Sequence, residues 1–252
     1  GFSLVIRDEN APSDTWGRKA SWRPSTNIDG SPGREDPPPP EIPAVVINEA
    51  LTQTVPPAKD AIELYNPTAS PAEIGGWFLT DDRREPWKFR IPEGTEIPAG
   101  RYLVFDEDDF NADPASPASF LLSSLGEEVY LFSADAEGTL TSYNHGFTFG
   151  AAENGVSFGR YITSTGEDYF VAQVTPTLNA INAGPKVGPV VINEIMYRPY
   201  SGHATDNIKD EYLELRNISS QAVLLFDPDF PENTWRIRHG VDYSFPTNVT
   251  LP

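Results

Sequence analysis

The sequence contains no cysteine, which excludes disulfide bridges, thiolate catalysis and zinc or iron–sulfur centres with cysteine ligands. It also lacks a signal-peptide pattern and any apolar run near the ~20 residues that a membrane-spanning helix requires. Basic residues are few, since 18 Lys and Arg stand against 37 Asp and Glu, giving a formal net charge of −19. Because the electrostatic field of so negative a protein repels phosphate backbones, nucleic acid is not expected as a partner. The charge suits a surface protein or one that collects divalent cations.

Amphipathic helical periodicity is missing as well, whereas turn-forming residues are abundant. The chain holds 25 prolines and 19 glycines, and 38% hydrophobic residues are enough for a real core. Short apolar stretches with β-branched and aromatic residues recur at intervals of roughly 8–12 residues, separated by turn signals. This pattern predicts an all-β chain of sandwich type, and no segment is predicted as a helix.

One stretch of the sequence occurs twice, at residues 45–66 and 190–217. Both copies open with Val-Val-Ile-Asn-Glu and close with an apolar residue, Glu, Leu, any residue and Asn. The second copy has 28 residues where the first has 22, so the extra ones lie between two predicted strands. The shared polar residues are Asn48, Glu49, Glu63 and Asn66 in the first copy and Asn193, Glu194, Glu214 and Asn217 in the second.

Two interpretations of these repeated residues are open. A carboxylate pair can perform general acid–base chemistry or bind a metal. Recurrence within an array instead favours a structural role, in which Asn and Glu satisfy backbone donors or pair with an arginine such as Arg160. The alternation of the second strand directs Ile62 and Leu64 toward the core and Glu63 toward the opposite face. We favour the structural interpretation.

The repeat predicts a tandem architecture. The opening residues Gly-Phe-Ser-Leu parallel Gly-Val-Ser-Phe at 155–158, which indicates the closing strands of a preceding copy. Incomplete copies leave unpaired edges, so we expect both outer segments to pack on each other, on the central copy or on neighbouring chains. The predicted divisions are a partial copy at 1–36, a Pro-rich linker at 37–43, a complete copy at 44–183, a linker at 184–189 and an N-terminal part of a further copy at 190–252.

The order and spacing of these motifs resemble the lamin-tail domain family, an immunoglobulin-like β-sandwich. The matching motifs are INEA, AIELYNP, GGWFLTDD, IPEGTEIPAGRYLVF, LSSLGEEVYLF and NGVSFGRY in the central copy, and VVINEI and EYLELRN in the last. The chain lacks the coiled-coil heptads, lipidation box and basic patch of nuclear lamins. The resemblance therefore implies the tandem, exported bacterial branch of the family, on the cell surface or outside the cell.

The densest acidic cluster lies at residues 106–113, directly after a predicted strand. Alternating oxygen donors on a loop are what Ca²⁺ requires, although the glycine and closing glutamate of an EF-hand loop are missing. A solvated acidic loop is the alternative. The candidate calcium ligands are Asp106, Asp108, Asp109, Asn111 and Asp113.

The remaining functional residue types give weak signals. The histidines, His145, His203 and His239, do not have the spacing of metal ligands. The Gly-x-Ser-x-Gly motif around Ser157 lies on a predicted hairpin strand, whereas a nucleophile elbow requires a strand-to-helix turn. Trp77 and Trp235 are expected in a core, whereas Trp87 is expected at the surface, where it could stack on a glycan. Two glycosylation sequons, at Asn217 and Asn248, would mean little in a bacterial protein.

The sequence thus predicts a non-enzymatic, extracellular structural or adhesive protein that assembles through strand or edge completion. The alternative is a carbohydrate- or ligand-binding accessory module of a large secreted enzyme. Expected partners are other copies of the chain or neighbouring modules and, in the alternative, surface glycans. No membrane insertion is expected, and calcium is the one cofactor considered.

Overall fold

A computed structural model describes the chain except Pro40, residues 201–206 and His239, and leaves out the side chain of Ile208. The chain divides into two compact units, Gly1–Lys186 (unit 1) and Val187–Pro252 (unit 2). His203 and His239, which the sequence places on exposed loops, lie outside the described residues. Within the described part, no helix is long and apolar enough to cross a membrane.

The regular secondary structure of unit 1 is almost entirely β-strand, as predicted. Its strands are β1 (Phe2–Ile6), β2 (Trp22–Ile28), β3 (Val46–Leu51), β4 (Ala61–Tyr65), β5 (Ala72–Glu73), β6 (Phe78–Thr80), β7 (Phe89–Arg90), β8 (Glu96–Ile97), β9 (Tyr102–Asp106), β10 (Gly126–Ala134), β11 (Leu140–Gly150), β12 (Ser157–Ile162) and β13 (Asp168–Ala172). Two short 3₁₀ turns, Ser13–Thr15 and Lys19–Ser21, join β1 to β2.

Two antiparallel sheets form the sandwich of unit 1. One has the order β13-β12-β3-β4-β9 and the other the order β11-β10-β6-β7, while β5 and β8 form a small separate pair. The core lies between the sheets and contains the inward side chains of both, among them Ile47, Ile62, Leu79, Leu131 and Phe158. Burying large apolar side chains on both inner faces is what stabilises such a two-layer fold.

The first 36 residues form a hairpin of their own inside unit 1. Strand β1 pairs antiparallel with β2, and β2 contacts β11 of the sandwich. Arg23 forms a largely buried ion pair with Asp36, whose carboxylate also accepts the backbone N–H of Thr26. Of the three packing partners expected for this segment, the structure shows a contact with the central copy, between β2 and β11.

Unit 2 is a smaller all-β unit. It comprises β14 (Val190–Met196), β15 (Tyr212–Asn217), β16 (Val223–Leu224), β17 (Arg236–Ile237), β18 (Tyr243–Ser244) and β19 (Thr250–Leu251), with a 3₁₀ turn at Ile208–Asp210. The pairs are β14 with β15, β16 with β19 and β17 with β18. These pairs occur in the same order as β3–β4, β5–β8 and β6–β7 of unit 1.

One segment departs from the predicted all-strand pattern. Residues Glu107–Phe110 form a single α-helical turn (α1) after β9. Asp106 accepts the backbone N–H of Asp108, and Asp109 in return accepts the backbone N–H of Asp106. This capping box explains the helix, because acidic side chains here satisfy N–H groups that the first turn leaves unpaired.

Candidate functional site

The repeated residues of β3 and β4 lie together in unit 1. β3 and β4 pair with a one-residue shift between Ile47 and Glu49, so Asn48 is the extra residue of a β-bulge. The bulge places Glu49 directly opposite Glu63, and both side chains are fully buried. We call Asn48, Glu49 and Glu63 the carboxylate cluster.

A segment from the end of the same module covers this cluster, and we call residues 175–182 the clamp segment. Thr177 donates its backbone N–H and its hydroxyl to the two carboxylate oxygens of Glu49, each at 2.9 Å. The backbone N–H of Asn179 donates to Glu63. Because an unpaired buried carboxylate is costly, these donors are what make the burial of Glu49 and Glu63 tolerable.

Asn48 and Asn182 complete the network. The amide of Asn48 donates to Glu63 Oε1 and to Asn182 Oδ1, each at 2.8 Å. Asn182 in turn donates to the backbone carbonyl oxygens of Arg160 at 2.8 Å and Asn48 at 3.1 Å. The clamp segment is thereby tied to β3 and β12 as well as to β4.

Burial raises the pKa of Glu63 to about 7, and the nearby Glu49 carboxylate acts in the same direction. The N–H of Asn179 and the amide of Asn48 oppose this rise, because they donate to the ionised form. A carboxyl group with such a pKa could serve as an acid or base. However, the described contacts of Glu63 are all with its own module.

The structure refines two expectations about these residues. Glu63 does point away from the apolar core, but the clamp segment buries it on that face. Arg160 pairs with Asp168 at 2.9 Å and makes no ion pair with either glutamate among the described residues. Both glutamates accept backbone N–H groups, as the backbone-donor interpretation expects, and Arg160 pairs with Asp168 instead.

His145 is a neighbour of the cluster that the sequence did not indicate. The backbone N–H of Ile47 donates to His145 Nδ1 at 3.0 Å, which leaves the proton of a neutral ring on Nε2. Burial lowers the pKa of His145 to about 4, although Asp168, 4.0 Å from Nε2, opposes that shift. The only signal in the sequence is the position of His145 in a strand of alternating residues, which could have suggested the face on which its ring lies.

Unit 2 repeats the geometry of the hairpin, and among its described residues no segment equivalent to the clamp segment lies over it. β14 and β15 shift register between Ile192 and Glu194, so Asn193 is again the bulged residue, and its amide donates to Glu214. Asn193 and Glu194 are exposed. The apolar neighbours differ in the same way, because Ile192 is 53% exposed and its counterpart Ile47 is 0% exposed.

The repeated asparagines after β4 and β15 also match in detail. Asn66 donates to the carbonyl oxygens of Ser70 and Ile97, and its Oδ1 accepts from the backbone and hydroxyl of Thr68. Asn217 makes the equivalent contacts with Gln221, Leu251 and Ser219. Each asparagine closes the turn that follows the hairpin and ties it to a later strand.

The inner face of unit 2 is an apolar groove of about 570 Å³. Leu213 and Leu215 line it, at the positions of Ile62 and Leu64 in the core of unit 1. Trp235, expected in a core, is 42% exposed, whereas Trp77 is 4% exposed as predicted. The difference arises because the strands that would correspond to β9–β13 are not among the described strands of unit 2.

The candidate calcium ligands are used for other contacts. Asp106 and Asp109 form the capping box of α1, and Asp108 pairs with Lys59, which also lies 3.7 Å from Asp106. Asn111 is the C-cap of α1, and Asp113 accepts the backbone N–H of Ala115. Within the described residues, no group of three or more His, Asp or Glu side chains converges to hold a metal ion. Calcium binding by this loop stays a prediction.

The structure also shows the surroundings of Trp87 and Ser157. Trp87 is 56% exposed, and its indole N–H donates to the carbonyl of Gly138 at 3.3 Å. Ser157 is buried within strand β12, away from any strand-to-helix turn. Ser157 is thus not a nucleophile elbow, whereas glycan stacking on Trp87 stays a prediction.

The comparisons with known proteins agree with this architecture. The family model of the Lamin Tail Domain matches residues 38–147, from the residues before β3 to most of β11. Neither a curated protein nor a solved structure matches the chain. The family is one of non-catalytic immunoglobulin-like domains and is compatible with a structural or binding module. Residues 38–147 therefore match the lamin tail domain, an immunoglobulin-like β-sandwich, in agreement with the two antiparallel sheets of unit 1.

Proposed function

We propose that this chain is a non-enzymatic structural or adhesive protein, built of tandem lamin-tail-like modules and acting at the cell surface or outside the cell. Its modules would space and connect surfaces through rigid sandwiches and stiff Pro-rich linkers. Other copies of the chain would be its main partners, and association would proceed through completion of strands or sheet edges. The acidic surface, with a net charge of −19, would favour solubility between contacts.

The observation that supports this proposal is the use of the carboxylate cluster. Glu49 and Glu63 are the deepest carboxylates of unit 1, and backbone N–H groups of the clamp segment hold both. The same Asn-Glu-Glu arrangement recurs in unit 2 with the same bulge. This arrangement recurs in both units, and in unit 1 its glutamates accept backbone N–H groups of their own module. Both observations favour a structural role.

Solution size and shape test the proposal. We expect light scattering and small-angle X-ray scattering to show elongated assemblies that grow with concentration. Loss of assembly on chelation, restored by calcium, would show that the contact depends on calcium and would point to the loop of residues 106–113 or its equivalents. A compact monomer at every concentration, with or without calcium, would contradict self-assembly.

The exposure of Trp87 favours a second candidate, a glycan-binding accessory module. An aromatic face at the surface can stack on a sugar ring. Binding to a glycan array that Trp87→Ala abolishes and Trp16→Ala retains would support this function, since Trp16 is also partly exposed, at 38%. Equal binding by both variants would contradict it.

A further inference from the structure

The clamp segment is held on unit 1 mainly through polar contacts. Thr177, Asn179 and Asn182 supply its hydrogen bonds to the carboxylate cluster and to β12. None of its side chains belongs to the described apolar core or packs against it, and Ile181 is 84% exposed. Because segments with few buried apolar contacts open locally at low cost, the clamp segment can detach while the core stays folded.

A short pair of hydrogen bonds closes the base of the clamp segment. The backbone N–H of Val174 donates to the carbonyl of Gly184 at 3.1 Å, and the N–H of Lys186 donates to the carbonyl of Ala172 at 2.7 Å. Lys186 is the last residue of unit 1, so the chain passes from this base directly into unit 2. The clamp segment therefore helps to hold the point at which the chain leaves unit 1.

The closed clamp segment buries polar groups that water would otherwise solvate. Glu49 and Glu63 lie opposite each other, and both are fully buried. The side chain of Gln173 lies in the space that a side chain at Gly159 would fill, directly across from Glu49. The amide of Gln173 and the hydroxyl of Ser157 are buried without a hydrogen-bond partner among the described residues. Because buried carboxylates and unpaired polar groups are costly, opening the segment relieves part of this cost.

The charged groups around Glu63 make the closed state sensitive to pH. β3 presents Glu49 to it, β9 presents Tyr102, and the clamp segment has no titratable side chain. Arg160 of β12 pairs with Asp168, so no cation pairs with Glu63 among the described residues. Burial, with the Glu49 carboxylate acting in the same direction, therefore raises the pKa of Glu63 to about 7 in the closed state.

We propose that the clamp segment opens as a unit when the carboxylate cluster loses its proton and closes again when the proton returns. Opening exposes the two carboxylates to water and leaves both sheets in place. Protonation favours the closed state fully below pH 4.5, the ordinary pKa of Glu63, and this advantage is lost as the pH rises to about 7. Over that range the ratio of open to closed molecules should rise roughly a hundredfold. The device lies within unit 1 and does not depend on the proposed self-assembly.

Amide hydrogen exchange, followed by NMR on the full chain, measures this opening. The N–H groups of Thr177 and Asn179 are bonded to the cluster only in the closed state, so their protection, corrected for the intrinsic exchange rate, should fall roughly a hundredfold from pH 4.5 to pH 7. The N–H of Ile74, bonded to Thr95 elsewhere in unit 1, should not follow this fall. His145 stays buried when only the clamp segment opens, so its opposing pH dependence affects global unfolding alone. Constant protection at Thr177 and Asn179, or a parallel fall at Ile74, would overturn the proposal.

A glutamate variant with a matched control identifies the titrating group. Glu63→Gln should remove the pH dependence of protection at Thr177 and Asn179. Glu127→Gln changes another partly buried glutamate that accepts a backbone N–H, from Ser123, in the other sheet, and it should leave that pH dependence unchanged. A full pH dependence in Glu63→Gln, or its loss in Glu127→Gln, would overturn the role of the carboxylate cluster.

Two further variants show what holds the clamp segment closed, and they test the proposal even if Glu63→Gln does not fold. Thr177→Val removes the hydroxyl that donates to Glu49, so it should raise the open-to-closed ratio by roughly tenfold at every pH. Leu178→Ala changes a neighbouring residue outside the core, and its effect should stay below about threefold. A larger effect of Leu178→Ala would show that apolar packing holds the segment and would overturn the proposal.

Discussion

The two hairpins β3–β4 and β14–β15 have the same strand pairing and the same bulge, but their side chains are buried to different extents. Both contain a bulged asparagine, a glutamate after it, a glutamate on the partner strand and an asparagine that closes the next turn. In unit 1 the first glutamate is buried beneath the clamp segment, and in unit 2 its counterpart is exposed. The comparison shows that short-range sequence encodes the register and the bulge, whereas residues more than a hundred positions away determine the burial.

The largest expected difference concerns the central isoleucine of each hairpin. Ile47→Ala should cost about 2–5 kcal/mol of unfolding free energy, because it leaves a cavity in a closed core. Ile192→Ala removes the same atoms from a side chain that is 53% exposed, so its cost should stay below about 1 kcal/mol. Hydrogen exchange with mass spectrometry during urea titration reports each hairpin separately. Equal losses in both hairpins would contradict the difference in burial.

The next effect is a pH dependence of the stability of unit 1. The pKa of Glu63 rises from an ordinary 4.5 to about 7, so its contribution to stability is full below pH 4.5 and is lost as the pH rises toward 7. The pKa of His145 falls from 6.5 to about 4, so its contribution is present above pH 6.5 and is lost as the pH falls toward 4. Between pH 4.5 and pH 6.5 the two groups change the unfolding free energy in opposite directions, and each changes it by up to about 3 kcal/mol.

Single variants separate these opposing contributions. Relative to wild type, Glu63→Gln should lose stability as the pH falls from 6.5 to 4.5, and His145→Gln should gain stability over the same range. Thermal unfolding at a series of pH values measures both slopes. The double variant should return to the shallow wild-type dependence, and a steep slope in it would show that other groups control this range.

A smaller difference is expected at the repeated asparagines. Asn66→Ala should cost about 1–3 kcal/mol, because it leaves the buried carbonyl of Ile97 without this donor. Asn217→Ala removes the same set of contacts in a more exposed setting, so its cost should be about 0.5–1 kcal/mol. Urea midpoints of the two units give the comparison. A larger loss for Asn217→Ala would show that unit 2 depends on this turn more than its burial suggests.

The smallest effect is expected at the acidic loop. Lys59 and Asp108 form an exposed ion pair, and such pairs contribute little to stability. Asp108→Asn should therefore leave the melting temperature of the calcium-free protein unchanged. If the same variant removed a calcium-induced rise in melting temperature of the wild type, the loop would be a calcium site after all. Calorimetry with calcium or chelator distinguishes these outcomes.

The sequence predicted the all-β sandwich and the lamin-tail family correctly, because strand spacing, turn chemistry and the duplicated motif are local patterns. It also predicted a structural role for Glu49 and Glu63, which accept hydrogen bonds from backbone N–H groups of their own module. It did not indicate the clamp segment or His145, since both reach β3 from more than 90 residues away along the chain. Trp235 was placed in a core by analogy with Trp77, but that analogy requires covering strands that the described part of unit 2 does not contain.

The extra length of the β14–β15 connection has a practical consequence. Fifteen residues join these strands where nine join β3 to β4, and yet the pairing and the bulge are the same. Lengthening a loop from nine to fifteen residues costs only about 0.3 kcal/mol to 0.5 kcal/mol in closure entropy. Added length between these two strands therefore costs the hairpin little, and an epitope tag or a fluorescent label inserted in the connection would let individual modules be followed within an assembly.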